Sequence, residues 1–282
     1  MAHQYHLRDL CQALRVPRSS YYAWRHRQPS ARQQHNQLLR ATLSHLFVAH
    51  RKVYGSPRMT ACLNRAGVPC SRNRVARHMR DLGLKARQKR AFKPKTTDSN
   101  HPHPIAPNRL ADAAKPKSPN RIWVSDITYI HTAEGWLYLA AVMDLYSRKV
   151  VGWATADHLK TSLVEQAMLA ALRCRRPTKG LLHHSDRGCQ YASANYRELL
   201  SSLKALPSMS SAGNCYDNAA MESFWSTLKT EWLHHRKFQT HAEAKLAIFD
   251  YIETFYNPKR IHSALGYQSP VEFELEVHRA KE

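Results

Sequence analysis

The sequence lacks three features that would each point to a whole class of protein. No apolar run approaches the roughly 18 residues of a membrane-spanning helix, and the opening residues MAHQYHLRDL lack the apolar core of a signal peptide. The 6 cysteines include no C-x-x-C pair, which argues against a zinc site and against a disulfide framework. We therefore expect a cytosolic protein with reduced thiols and no membrane partner.

Acidic residues are scarce in the front of the chain. Residues 1–120 hold 24 Lys and Arg but only 4 Asp and Glu, whereas residues 121–282 hold 19 and 17. Nearly all of the formal charge of +22 thus precedes residue 121. This asymmetry is typical of a nucleic-acid-binding region joined to a near-neutral domain. A merely solvated basic surface or a membrane-surface helix is the alternative.

Residues 1–34 form a first basic region. Apolar residues recur at helical spacing up to a break at Val16-Pro17, and a second helical pattern follows. The stretch LCQALRVPRSSYYAW is therefore a candidate helix-turn-helix. Many helical hairpins share this pattern.

Residues 35–90 predict a second, helical DNA-binding domain. One helix covers residues 35–50, a second has Ser56 as its N-cap, and a third is capped by Ser71. The third helix carries arginines away from its apolar face, at Arg72, Arg74, Arg77 and Arg80. Because an arginine fork fits guanine or phosphate, we expect these four to contact DNA as in a recognition helix. A solvated face is the alternative.

Prolines separate this region from the rest of the chain. Residues 91–120 contain 6 prolines and few apolar residues, which predicts a stiff linker. The second domain then spans residues 121–282. Its element order is β-β-β-α-β-α-β-α, with three strands joined by short turns, which predicts a mixed α/β layer fold.

Three carboxylates stand out in this domain. Asp126 sits inside an apolar and β-branched strand, where a carboxylate is costly unless it is paired or bound to a metal. Asp186 follows a short apolar strand, and Glu222 lies early in a helix, with 35 residues between the two. Converging carboxylates bind hard divalent cations, and two such ions can drive phosphodiester chemistry.

Several longer motifs resemble the IS-three family of insertion-sequence transposases, specifically its second reading-frame product, OrfB. They are WVSDITYI, HSDRGCQY, SMSSAGNCYDNAAMESFWSTLK and YNPKRIHSALGYQSP, with GSPR and the helices after it in the front region. The resemblance implies an RNase H-like, retroviral-integrase-like core behind an all-α helix-turn-helix region. It also implies that Asp126, Asp186 and Glu222 are the catalytic, metal-binding triad, holding two ions of Mg²⁺ or Mn²⁺.

The same resemblance implies further DNA contacts in the core. Those expected on the helix face of Glu222 or in the turn after Asp186 are Asn218, Lys229, Arg187 and Gln190. Arg187 or Gln190 can alternatively buttress the site, with Gly188 giving the turn its backbone freedom. Lys259 and Arg260 are expected to bind DNA or another subunit. One departure is that Ser211 and Ala212 occupy a loop in which the family commonly has basic residues.

Other polar and aromatic residues near these motifs have plainer interpretations. Asp144 is expected in a turn or structural role rather than in the site, and Asp217 as a helix cap. His183 and His184 are expected to orient neighbours rather than to bind metal. The tryptophans expected in the core are Trp123, Trp136 and Trp153. Trp225 is either core or a wall beside the DNA.

We therefore expect a bacterial DNA transposase of the cytoplasm and nucleoid. It would cut transposon ends and join the 3′-OH to target DNA, acting as a homo-oligomer on double-stranded terminal inverted repeats, with the upstream OrfA product as fusion or partner. Two alternatives stay open at this point. One is an RNase H-like nuclease without strand transfer, and the other is a non-catalytic DNA-binding regulator.

Overall fold

The chain divides into two compact units, residues 1–85 and residues 86–282. The computed structural model describes residues 5–87, 104–177, 179–211 and 218–279. Residues 91–103 of the predicted proline-rich linker therefore fall outside the described residues. The predicted domain boundaries at residues 34, 90 and 120 stay predictions.

Helices make up the described part of the first unit. They are α1 (Leu7–Ala13), α2 (Arg18–Arg25), α3 (Ala31–Ala49), α4 (Ser56–Arg65) and α5 (Arg72–Asp81). The last three enclose a buried apolar interior of Leu39, Leu43, Phe47, Met59, Leu63, Val75 and Met79. A helix is thus present at each of the three positions predicted within residues 35–90.

Local hydrogen bonding explains where two of these helices begin. Ser30 accepts a hydrogen bond from the backbone of Gln33, whose side chain accepts one from the Ser30 N–H at 2.7 Å. This reciprocal box starts α3 at Ala31 rather than at residue 35. The predicted cap of α4 is wrong, because Ser56 is its first helical residue and Gly55 takes the N-cap position.

The second unit is built on a five-stranded sheet. Its strands are β1 (Ile122–Thr132), β2 (Gly135–Asp144), β3 (Val150–Ala156), β4 (Leu182–Ser185) and β5 (Leu206–Met209). Their spatial order is β3-β2-β1-β4-β5. β1, β2 and β3 form the predicted antiparallel meander, whereas β4 pairs parallel to both β1 and β5.

Helices lie between and after these strands. They are α6 (Thr161–Cys174), α7 (Cys189–Ala192), α8 (Ala194–Ser202), α9 (Ala219–Glu231), α10 (His241–Tyr251) and α11 (Pro270–Arg279). The observed order confirms the predicted mixed α/β fold, with the one-turn α7 as an addition. The helix predicted to continue to residue 256 changes instead to a π-helix over Ile252–Tyr256.

Side chains alternate between the two faces of the sheet. One face packs against α6 and α8 through Trp123, Ala140, Val142 and Val151. Asp126 has the opposite parity to Trp123, so its side chain points to the other face, where α9 contacts β1. The fold thus sets α9 over the strand that carries the first carboxylate.

No helix in the described ranges is both long and apolar enough to cross a membrane.

Gly152→Ala is expected to destabilise the second unit. The added methyl group would lie 2.4 Å from both the carbonyl oxygen of Ala167 and the backbone nitrogen of Ala171, so α6 would have to move off β3. We expect the free energy of unfolding in urea to fall by about 1–3 kcal/mol. Ala154→Gly, on the same face of β3, is the control and should cost about 1 kcal/mol or less. Equal stability of Gly152→Ala and the parent protein would contradict this close packing.

Candidate active site

Two of the three predicted carboxylates are brought together by strand pairing. The parallel register of β1 and β4 matches Trp123 with His183 and Val124 with His184. Continuing this register by two residues on each strand sets Asp126 beside Asp186, which directly follows β4. Both side chains then point to the face of the sheet on which α9 lies.

Asp126 is half-buried and held at both of its oxygens. Its Oδ1 accepts a hydrogen bond from the backbone N–H of Ile127 at 2.8 Å, and its Oδ2 accepts one from the indole N–H of Trp225 at 2.9 Å. Burial, the carboxylate of Asp186 and that of Glu222 raise the pKa of Asp126 to about 7, against the lowering effect of both hydrogen bonds. Such a carboxylate gains from a nearby cation.

Asp186 is fixed by the turn that follows β4. Its Oδ1 accepts a hydrogen bond from the backbone N–H of Gly188 at 3.0 Å. Gly188 has φ −60° and ψ 141°, a conformation open to any residue, so the expected role of backbone freedom is wrong. What the position requires is space, because a Cβ there would lie 3.0 Å from both Asp186 Oδ1 and Gln190 Oε1.

Glu222 lies in the first turn of α9 and its side chain is exposed. Its charge reaches Asp126 and contributes to the raised pKa of that residue. Within the described ranges, however, no three His, Cys, Asp or Glu side chains are grouped closely enough to hold a metal ion. Ala212 and Asp217, for which the sequence made predictions, lie outside those ranges.

The donor set fits a hard divalent cation. Carboxylate oxygens are the ligands that Mg²⁺ and Mn²⁺ prefer. The adjacent carboxylates of Asp126 and Asp186 repel each other, and a shared cation relieves that repulsion. Glu222 acts on Asp126 through its charge. The arrangement is therefore chemically suited to metal-dependent work on an anionic substrate.

Three predicted DNA contacts have hydrogen bonds to the protein backbone instead. Arg187 donates through Nε to the carbonyl of Ser210 at 2.7 Å. Gln190 is buried and donates to the carbonyl of Leu159 at 3.0 Å. Asn218 is also buried, and its amide donates to the carbonyl oxygen of residue 125, the neighbour of Asp126, at 3.2 Å. For Arg187 and Gln190 these bonds favour the buttressing alternative, and the amide of Asn218 ties the start of α9 to β1.

Lys229 lies within electrostatic range of Asp126. Its Nζ is 4.9 Å from the ring centroid of Tyr129. Burial lowers the pKa of Lys229, and the charge of Asp126 opposes that shift. The half-buried Lys229 is thus the predicted DNA contact on α9 whose positive charge reaches Asp126.

Arg260 is a correction to the predicted contacts. It is 3% exposed, and its guanidinium bonds to both carboxylate oxygens of Glu231, at 2.8 and 2.7 Å. Tyr251 donates a third hydrogen bond to the same carboxylate at 2.8 Å. This buried ion pair joins α9 to the C-terminal part of the unit. The neighbouring Lys259 is exposed.

Asp144 and the two histidines have structural roles. Asp144 is the last residue of β2, is fully buried, and accepts backbone N–H bonds from Asn120 at 2.6 Å and Tyr146 at 2.9 Å. Burial lowers the pKa of His183 to about 3, so this imidazole is neutral. His183 and His184 contact side-chain hydroxyls of Ser125, Tyr196, Ser208 and Ser210. These contacts agree with the expected orienting roles.

The tryptophans divide differently from the prediction. Trp123 is buried as expected, but Trp136 is 49% exposed. Trp153 is half-buried, and its indole donates to Glu253 at 2.9 Å. Trp225 is core and also bonds to Asp126, a role that sequence reasoning missed. Its spacing of three residues from Glu222 was the available signal, since such residues share a helix face.

In the first unit, α5 presents most of its arginines to solvent. Ser71 caps the helix as predicted by accepting the backbone N–H of Arg74 at 3.4 Å. Arg72, Arg77 and Arg80 are exposed. Arg74 is half-buried, and its guanidinium donates to Asn36 of α3 at 2.7 Å.

Comparison with protein-family models assigns both regions. An HTH-like domain matches residues 33–92, and an integrase core domain matches residues 116–215 and again residues 222–277. Together with the observed sheet, these matches confirm the expected integrase-type α/β core behind a helical HTH-like region.

Curated relatives are similar along nearly the whole chain. The chain is 44% identical to the "Insertion element IS600 uncharacterized 31 kDa protein" of Shigella sonnei, with 96% of this chain and 99% of that protein covered. It is 41% identical to the transposase for insertion sequence element IS904 of Lactococcus lactis, covering 88% and 98%. It is 38% identical to the transposase InsF for insertion sequence IS3A of Escherichia coli, covering 96% and 94%.

Solved structures match part of the chain at low identity. The catalytic core domain of BIV integrase is 18% identical with a TM-score of 0.43, covering 57% of this chain and 98% of that one. The HTLV-2 integrase catalytic core domain, described in complex with magnesium, is 17% identical with a TM-score of 0.42, covering 56% and 98%.

Arg260→Met is expected to destabilise the second unit. Removing the guanidinium leaves the buried carboxylate of Glu231 without its charge partner, which costs about 3–5 kcal/mol in the free energy of unfolding. Denaturant unfolding measures this loss. Lys259→Met, at the exposed neighbouring position, is the matched control and should change stability by about 0.5 kcal/mol or less. Parent-like stability of Arg260→Met together with weakened DNA binding would restore the original prediction.

Proposed function

The chain belongs to the IS3 (IS-three) family of insertion-sequence transposases and is a DNA transposase with an integrase core; we propose that Asp126, Asp186 and Glu222 form its catalytic centre. The observation that carries this proposal is the β1–β4 register, which pairs Val124 with His184 and, continued by two residues, brings Asp126 beside Asp186. Their mutual repulsion, with a smaller contribution from Glu222, supports a cation between them. The position of Glu222 in the first turn of α9, over β1, agrees with a third ligand.

We propose Mg²⁺ or Mn²⁺ as the cofactor, with two ions in the site. Asp126, Asp186 and Glu222 would hold them. Bound divalent ions activate the attacking oxygen and stabilise the leaving oxygen of a phosphodiester.

Two phosphoryl transfers account for the activity. A water oxygen attacks the phosphorus at the transposon end, and the P–O3′ bond breaks to leave a 3′-OH. That hydroxyl then attacks a target phosphodiester, where one new P–O bond replaces the one that breaks. The second step conserves the number of phosphodiester bonds and needs no covalent protein–DNA intermediate. Lys229, next to Asp126, is suited to bind a phosphate beside the carboxylates.

DNA recognition is proposed for the first unit. A transposase must hold its DNA ends, and the basic charge lies almost entirely ahead of residue 121. The exposed arginines of α5, Arg72, Arg77 and Arg80, are suited to phosphates or to guanine edges. We propose a smaller contribution of Arg74 to DNA binding, because its guanidinium already bonds to Asn36.

The wider assembly is also a proposal. We propose that the chain acts as a homo-oligomer on terminal inverted repeats and target DNA in the bacterial nucleoid, with an upstream OrfA product as fusion or partner. An integrase core with a net charge near +2 over residues 121–282 gains DNA affinity from such additional basic regions.

Neutralising each carboxylate in turn tests the catalytic centre. Asp126→Asn, Asp186→Asn and Glu222→Gln should each lower the rate of metal-dependent cleavage of a transposon-end duplex by at least about 1,000-fold, by loss of metal-held charge stabilisation. DNA binding, measured by fluorescence anisotropy, should stay within about threefold of the parent, because each change removes negative charge. Asp157→Asn, at an exposed acid outside the site, is the control.

The same assay separates a transposase centre from a plain nuclease. A pre-cut end with a free 3′-OH should yield joined product with the parent protein and none with the three variants. Cleavage without any joined product would support the nuclease alternative, and wild-type cleavage by Glu222→Gln would remove Glu222 from the centre. Binding without either reaction in the parent would support the regulator.

Removing the exposed arginines of α5 should weaken DNA binding. The triple variant Arg72→Ala, Arg77→Ala and Arg80→Ala should flatten the plot of log affinity against log salt by about 1 for each phosphate that the variant no longer binds. Arg32→Ala, at an exposed position of α3, is the control for general charge. An unchanged affinity and slope in the triple variant would exclude α5 from the DNA interface.

A further inference from the structure

Trp225 makes a contact that packing alone does not explain. Its side chain is only 6% exposed and lies beside the ring of Phe224, with 4.8 Å between centroids. Its indole N–H donates to Oδ2 of Asp126 at 2.9 Å. A phenylalanine would keep an aromatic ring in this interior but could not make this bond. The polar edge of the indole is therefore directed at the first carboxylate of the proposed centre.

We propose that Trp225 is a positioning residue, which fixes the carboxylate of Asp126 through its indole N–H in the orientation that the reaction needs. The inference rests on the proposed function of Asp126. With Ile127 N–H on Oδ1 and Trp225 on Oδ2, the carboxylate plane cannot rotate without breaking a hydrogen bond. Asp186, the adjacent like charge, otherwise pushes this carboxylate away.

The contact also couples the two elements that carry the centre. Trp225 lies on α9, three residues after Glu222, and Asn218 lies four residues before Glu222. The amide of Asn218 donates to the carbonyl of Ser125 in β1 at 3.2 Å. α9 is thus bonded to β1 on both sides of Glu222. A change in the Trp225 bond alters the placement of Asp126 relative to Glu222.

Trp225→Phe is the central test, and Trp232 supplies a matched control. The Trp232 indole also donates one hydrogen bond of 2.9 Å, to the carbonyl of Ala247, and its side chain is 8% exposed. For Trp225→Phe we expect kcat for end cleavage to fall about tenfold, with KM for the DNA end unchanged. For Trp232→Phe we expect kcat unchanged, whatever its thermal stability.

Metal binding without DNA gives a second readout that does not depend on activity. Mn²⁺ bound at Asp126 should quench the fluorescence of Trp225, the indole bonded to it. A Mn²⁺ titration should therefore quench the parent and Trp232→Phe alike, whereas Trp225→Phe should lose the saturable component. In Trp225→Phe, Mn²⁺-supported cleavage should need about tenfold more Mn²⁺ for half-saturation.

The outcomes distinguish this inference from the proposed function. Full cleavage by Asp126→Asn overturns the proposed centre. An inactive Asp126→Asn with parent-like kcat and Mn²⁺ requirement in Trp225→Phe overturns the positioning role alone. If Trp225→Phe unfolds, replacing Trp225 with benzothienylalanine retains the ring size and deletes only the N–H. The same tenfold loss in kcat is then expected, and a parent-like kcat contradicts the inference.

Discussion

The parallel pairing of β1 with β4 is the constraint on which the rest of the candidate site depends. Because Val124 of β1 pairs with His184 of β4, the next residues along the same face are Asp126 in β1 and Asp186 just after β4. Asp126 lies within β1 and Asp186 directly follows β4, so the strand pairing keeps the two aspartates close together. The fold therefore holds two carboxylates that repel each other side by side. The surrounding groups either increase or reduce that repulsion.

The groups around the pair share one chemical character. N–H groups of Ile127, Trp225 and Gly188 each donate to one of the two carboxylates, and Lys229 adds a positive charge beside Asp126. Even so, the pKa of Asp126 stays raised, which means that these donors do not fully offset burial and the neighbouring charge. A divalent cation would supply the positive charge that these donors do not provide.

The sequence predicted the elements well and their local details less well. The strands followed from β-branched and apolar runs, and Asp126 stood out because a carboxylate inside such a strand is costly without a partner. The role of Gly188 was missed because a glycine's lack of a side chain matters here through a contact with Asp186, which only the three-dimensional turn reveals. The bond from Trp225 was missed for the same reason, as it joins residues 99 positions apart.

The basic residues Lys259 and Arg260 show most clearly what the sequence alone could not predict. Lys259 and Arg260 are adjacent in sequence and were predicted to act alike, yet Arg260 is enclosed with Glu231 while Lys259 is exposed. A buried arginine with a carboxylate partner stabilises through its pairing and contributes little field to solvent. Counting basic residues therefore overstates the DNA-facing charge of the core. Residues 121–282 are near neutral overall. With Arg260 buried against Glu231, we expect DNA binding to depend mainly on the basic residues 1–120.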